Sequence, residues 1–134
     1  MTKLTAIEGI ADIYANKLKN AGVPTLEALL EKGASPAGRE EIAAAANVSS
    51  KLILEWINLA DLFRIKGIGE EYSDLLEEAG VDTVPELAQR NPANLLAKIL
   101  EINGQKKLVR RVPTLTQVTS WIEQAQSLPR IVQY

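Results

Sequence analysis

The sequence predicts an all-α protein made of two divergent copies of a unit of about four helices, and three observations carry that expectation. Sliding the chain against itself by 58 residues aligns IEGIADIYANKLKNAGVPT with IKGIGEEYSDLLEEAGVDT. Apolar residues recur at helical spacing, as in Leu52, Ile53, Trp56, Leu59 and Phe63, while no alternating β-branched run signals a strand. Residues that start and stop helices punctuate the chain at the expected intervals.

In the first copy a helix is expected from Ala11 to Ala21, ended by Gly22, because glycine adopts the left-handed C-terminal conformation at little cost. Thr25 caps a short helix carrying Leu26, Leu29 and Leu30. Ser35 caps a third with Pro36 in its first turn, and Ser49 or Ser50 caps a fourth. The second copy repeats the plan: Gly69 to Ala79, Thr83 to Arg90, Pro92 to Asn103 after Asn91, and Leu115 to Leu128 after Thr114.

Eleven of the 26 positions from Leu4 to Leu29 are identical at the 58-residue shift. They include Ile7 with Ile65, Gly9 with Gly67, Ile10 with Ile68, Tyr14 with Tyr72, and Ala21-Gly22-Val23 with Ala79-Gly80-Val81. Shared glycines and apolar residues imply a shared backbone trace. Trp121 follows Trp56 by 65 residues, so the second copy has gained seven, placed around Gly104 to Pro113. The domain reading is 1–63 for the first copy, 64–128 for the second and 129–134 for a short, loose tail, the whole forming one compact unit.

Composition narrows the chemistry. The 134 residues contain no cysteine and no histidine, which removes disulfides, thiolate ligands and the commonest acid–base group. No phosphate loop is present: Gly33 to Gly38 followed by Arg39 imitates one by spacing but lacks the Lys-Ser/Thr pair. The expectation is a non-enzymatic protein without metal or cofactor. No apolar run reaches the roughly 18 residues of a membrane span, and the first residues lack a signal-peptide core, so a cytoplasmic protein is expected.

Net charge is −2, against the basic excess of dedicated nucleic-acid binders. The second half is nevertheless polarised. Seven acidic residues (Glu70, Glu71, Asp74, Glu77, Glu78, Asp82, Glu86) lie between Gly69 and Glu86 without a basic one. Lys98, Lys106, Lys107, Arg110 and Arg111 then follow against a single Glu101.

The recurring element is an apolar stretch, then Gly9-Ile10-Ala11 or Gly67-Ile68-Gly69, then a new helix. Gly67 and Gly69 are expected to allow a tight hairpin with positive φ and close backbone approach, with Ile68 plugging the groove beneath. The new helix then aims its free N–H groups outward, a geometry that suits a phosphate.

The segment IKGIGEEYSDLLEEAG resembles the helix-hairpin-helix motif of DNA repair and recombination proteins. AGVDTVPEL and AGVPTLEAL resemble helical domains found beside recombinases and in the polymerase alpha-subunit tail. The resemblance implies a SAM-like, recombinase N-terminal-domain-like architecture. From Leu4 to about Gln126, and most closely over LVRRVPTLTQVTSWIEQA, the chain also resembles a bacterial family, frequent in cyanobacteria, known as domain of unknown function number 4332. That resemblance implies tandem helix-hairpin-helix copies and no particular activity.

Both copies depart from a phosphate-binding hairpin. The first keeps Lys17 and Lys19 but has Ala11 in place of the second glycine; the second places Glu70 and Glu71 where a phosphate would sit. Tyr14, Tyr72, Trp56 and Trp121 lie among Leu and Ile and are expected to pack rather than stack on bases. The resulting expectation is an interaction module for a protein partner, with homo-oligomers open. The alternative is weak, sequence-independent DNA or RNA backbone binding through the hairpins, Lys17, Lys19, Lys106, Lys107, Arg110 and Arg111.

Overall fold

A computed structural model describes residues 2–134. Eight α-helices and one short 3-10 turn (Leu4–Ala6) account for the regular structure of the described residues: α1 Asp12–Asn20, α2 Leu26–Lys32, α3 Pro36–Ala46, α4 Ser50–Leu62, α5 Glu70–Glu78, α6 Val84–Ala88, α7 Pro92–Lys106 and α8 Leu115–Ser127. The protein is all-α. The single extended pairing among these residues is an isolated antiparallel bridge between Lys3 and Thr25.

The helix starts follow the side chains that satisfy free N–H groups. Thr25, Ser35, Thr83, Asn91 and Thr114 each accept from the backbone N–H three residues on. Ser49 does the same for Leu52 at 3.2 Å, immediately before α4. Thr114 and Gln117 form a reciprocal capping box, with Thr114 N–H donating to Gln117 Oε1 at 2.8 Å.

The chain divides into two compact units, Met1–Asp61 with Arg130–Tyr134, and Leu62–Pro129. In the first, Leu4, Ile7, Ile10, Leu18, Val23, Leu29, Ile53, Trp56 and Ile57 are buried. In the second, Leu62, Ile65, Ile68, Leu76, Val81, Leu87, Leu95, Ile99, Trp121 and Ile122 are buried. The ends of α1 and α5 share one device. Val23 N–H donates to Leu18 O and Val81 N–H to Leu76 O, each at 2.8 Å, closing a loop over Gly22 (φ 85°) and Gly80 (φ 93°).

Two expectations need correction. α7 does not stop at Asn103 but runs through Gly104 to Lys106. Its end is set by Lys107, which takes the left-handed conformation (φ 51°) and donates to Asn103 O at 2.8 Å, so a lysine fills the role a glycine usually has. The tail is not loose either. Val132 is 1% exposed, Gln133 N–H donates to Ala34 O at 2.7 Å, and the Tyr134 hydroxyl donates to Asn58 Oδ1 at 2.6 Å.

Arg39 explains how the tail is held. Its buried guanidinium donates through Nη1 to Gly33 O (3.0 Å) and Ala34 O (3.2 Å), and through Nη2 to Gln133 O (2.6 Å). It satisfies carbonyls at the end of α2 and anchors the segment carrying Gln133 at once. The phosphate-loop spacing of Gly33 to Arg39 therefore serves a packed corner. Gly38 is required there by space alone, since a Cβ would stand 1.9 Å from Lys32 O.

Candidate functional site

The site begins with the turn before α5. Ile68 N–H donates to Ile65 O at 3.1 Å, and both isoleucines are buried beneath the turn. Between them Gly67 takes φ 99° and lies against α8, where a Cβ would be 2.8 Å from Trp121 Nε1. Gln124, one turn further along α8, holds the same turn at two points. Its Oε1 accepts from Lys66 N–H (2.9 Å) and its Nε2 donates to Lys66 O (3.1 Å). The turn is thus fixed from below by an indole and an amide.

Gly69 does not behave as expected. It has φ −119° and ψ −156°, ordinary extended backbone, and no atom lies within 4 Å of where its Cβ would be. Its place as the uncapped residue before α5 matches that of Ala11 before α1 (φ −88°, ψ −179°). Ala11 is therefore no backbone departure, because the position never required a glycine.

The first turn of α5 carries Glu70 and Glu71, both exposed. These carboxylates stabilise the positive end of the helix and hold the space an anionic ligand would need. In the first unit the same turn of α1 carries Asp12 and then Ile13, whose side chain is 73% exposed. The turn before α1 is closed by Ile10 N–H donating to Ile7 O at 3.0 Å, and Gly9 faces Trp56, with a Cβ position 3.3 Å from Nε1. Tyr14 meets Trp56 edge-on at 5.0 Å, and Lys17 Nζ stands 5.8 Å from the Tyr14 ring centre. Lys19 lies elsewhere on α1, lining a cleft of about 340 Å³ with Lys3, Asp12, Asn16 and Thr25.

The basic cluster occupies the end of α7 and the loop that follows. Lys106 is engaged by Glu78 at 2.7 Å. Asn103 clips the loop by donating to Val109 O (3.2 Å) and accepting from Val109 N–H (3.0 Å). Lys107, Arg110 and Arg111 are exposed, followed by the exposed apolar side chains of Val112 and Leu115. The Tyr72 hydroxyl of α5 donates to Arg111 O at 2.9 Å while its ring packs on Trp121 at 5.2 Å. One tyrosine therefore joins the helix behind the turn to the basic loop.

The sequence-predicted residues are brought together within the second unit only in part. The Tyr72 hydroxyl of α5 links that helix to the loop at Arg111, and Lys106 is taken up by Glu78 of the same helix. Lys17 and Lys19 are on α1 of the first unit. Sequence reasoning missed Gln124, Asn103 and the hydroxyl role of Tyr72, all hydrogen bonds between segments distant in sequence. Ile13 carried a legible signal: it falls off the stripe of Ala15 and Leu18 that buries α1.

Among the described residues, no three His, Cys, Asp or Glu side chains are grouped to hold a metal ion, and no helix is long and apolar enough to cross a membrane. A family model described as Domain of unknown function (DUF4332) matches residues 8–128. The chain belongs to this family. The match begins at Glu8, inside the turn before α1, and runs to Leu128 just beyond α8, so it takes in the turn before α5, the basic loop and Trp121. No curated protein and no solved structure matches the chain.

Proposed function

We propose that this member of the DUF4332 family is a non-catalytic, cytoplasmic helix-hairpin-helix module that binds a protein partner. The supporting observation is the first turn after each hairpin. Both α1 and α5 begin with carboxylates, Asp12 in one and Glu70 with Glu71 in the other, and α1 adds Ile13 at 73% exposure. A phosphate is repelled at such a position, whereas an exposed isoleucine beside a helix start suits an apolar contact with another protein. Affinity purification from the source cell, with and without nuclease, tests the reading. A partner retained after nuclease and lost with Ile13→Asp is the expected result. Association that nuclease abolishes would overturn it.

A second reading has its own observation. Tyr72 ties the loop bearing Lys107, Arg110 and Arg111 to the hairpin helix, so three exposed cations stand on one braced segment. That arrangement supports weak, sequence-independent contact with nucleic-acid phosphates. Fluorescence anisotropy with a labelled duplex decides between the two: the protein-partner reading expects no appreciable binding at physiological salt.

A further inference from the structure

Opposite charges lie side by side on the second unit. α5 and the segment after α7 run past each other in opposite directions: the Tyr72 hydroxyl donates to Arg111 O at one end, and Glu78 takes Lys106 at the other. The segment presents exposed Lys107, Arg110 and Arg111, then the exposed aliphatic side chains of Val112 and Leu115. Its backbone is fixed, because Asn103 exchanges two hydrogen bonds with Val109, Pro113 is buried, and the Thr114–Gln117 capping box sets the start of α8. α5 turns an acidic face outward. At 3.6 residues per turn, Glu70, Glu71, Asp74, Glu77 and Glu78 fall within an arc of about 120°, while Ser73, Leu75 and Leu76 are buried. Among the described residues no ion pair engages Glu70, Glu71, Lys107, Arg110 or Arg111.

Adjacent patches of opposite sign are complementary to themselves. A two-fold rotation about an axis between them lays the acidic patch of one molecule on the basic patch of its mate, and the same contact recurs with the roles exchanged. Such a contact closes at two copies. Val112, next to Arg111, adds apolar surface to it. A nucleic acid or an anionic membrane would meet the cations but also the carboxylates beside them, whereas a second copy uses both signs.

We infer that the acidic face of α5 and the loop from Lys107 to Arg111 form a two-fold interface through which the second unit pairs with a second copy of this chain. Glu70 and Glu71 of one copy then face Arg110 and Arg111 of the other. Exposed ion pairs are individually weak and are screened by salt, so the dimer is reversible and salt-sensitive. The interface uses no residue of the first unit, where Ile13 lies, so a monomeric chain would leave the protein-partner reading standing.

The test is sedimentation equilibrium of the nuclease-treated full chain, from about 10 µM to about 1 mM protein and at about 20 mM and about 500 mM salt. Wild type should approach dimer mass at low salt and return to monomer at high salt. Two charge-reversed chains, Glu70→Lys with Glu71→Lys and Arg110→Glu with Arg111→Glu, should each dimerise at least about tenfold more weakly alone. Mixed in equal amounts they should recover a dimer containing one of each, because every contact again joins opposite signs. One chain carrying all four substitutions should likewise dimerise with itself. That recovery also shows that the variants fold. A wild type that stays monomeric at low salt would overturn the interface, and binding of a labelled duplex by that monomer would assign the loop to phosphates instead. A dimer that ignores the reversals, or folded variants that do not recover on mixing, would place the contact elsewhere. Assemblies that grow beyond two copies would exclude the two-fold arrangement.

Discussion

Gly67 and Trp121 are so close that a single added carbon between them would stand 2.8 Å from the indole nitrogen. Gly67 also holds φ 99°, so an alanine there meets both a steric and a conformational penalty. Gly67→Ala should cost about 1–3 kcal/mol. Gly9 faces Trp56 at the looser distance of 3.3 Å without a positive φ, and Gly9→Ala should cost under about 1 kcal/mol. Gly69→Ala should stay within about 1 kcal/mol of wild type, because reduced freedom of the unfolded chain offsets a poorer helix cap. Urea melts of the three variants check the ranking. Equal losses at Gly67 and Gly69 would contradict the account of the turn.

Tyr72→Phe isolates the link between α5 and the basic loop. The ring contact with Trp121 is kept and only the donor to Arg111 O is lost. Stability should fall by about 0.5–1.5 kcal/mol. The sharper readout is amide hydrogen exchange over residues 108–114, which should accelerate relative to α7. Unchanged exchange there would show that Asn103 alone braces the loop.

Arg39 is a buried cation that spends its donors on three carbonyls, two beside the end of α2 and one in the tail. Arg39→Met leaves those oxygens without that donor and should cost at least about 2 kcal/mol, with Arg39→Lys intermediate because an ammonium cannot reproduce the fork. Trp56 is the one tryptophan of the first unit, so its fluorescence in a Trp121→Phe background follows that unit during urea unfolding. A wild-type midpoint for Arg39→Met would refute this role.

What was legible in the sequence and what was not follow from the range of the interactions. Helix type, caps and glycine ends are local, so Thr25, Ser35, Thr83, Asn91, Thr114, Gly22 and Gly80 could be read directly. The buried identity of Ile7, Ile10, Ile65, Ile68, Trp56 and Trp121 follows from apolar spacing. The end of α7 misled because Gly104 is the obvious stop signal, yet the helix closes later, where Lys107 takes the left-handed conformation and donates to Asn103 O. Gly69 misled because the two glycines flanking Ile68 look equivalent until their φ angles are known. The tail misled because Arg39 reaches it across 94 residues, beyond any pattern in a linear chain. Among the site residues, the exposed cations were legible as types, while the loss of Lys106 to Glu78 and the Tyr72 bridge required the fold.

The most discriminating substitution for function is at the start of α5. Glu70 and Glu71 occupy the first turn after Gly69, where no side chain caps the helix and the dipole is positive. Replacing both with Lys removes two opposing charges and adds two favourable ones on the helix that Tyr72 joins to the Arg110–Arg111 loop. Duplex DNA affinity should rise from negligible at physiological salt to a measurable, salt-sensitive binding. At a screening length of about 8 Å, neighbouring charges still act on a docked phosphate. The log–log salt slope should be about −0.9 per phosphate neutralised, and adding Arg110→Glu with Arg111→Glu should abolish the gain. The loss of dipole stabilisation is about 1 kcal/mol or less per exposed carboxylate, so a thermal melt should still show a folded chain. Tight DNA binding by wild type would remove the main support for a protein partner. A folded double variant with no gain would show that this turn serves architecture alone, since neither its charge nor its backbone would then bear on a phosphate.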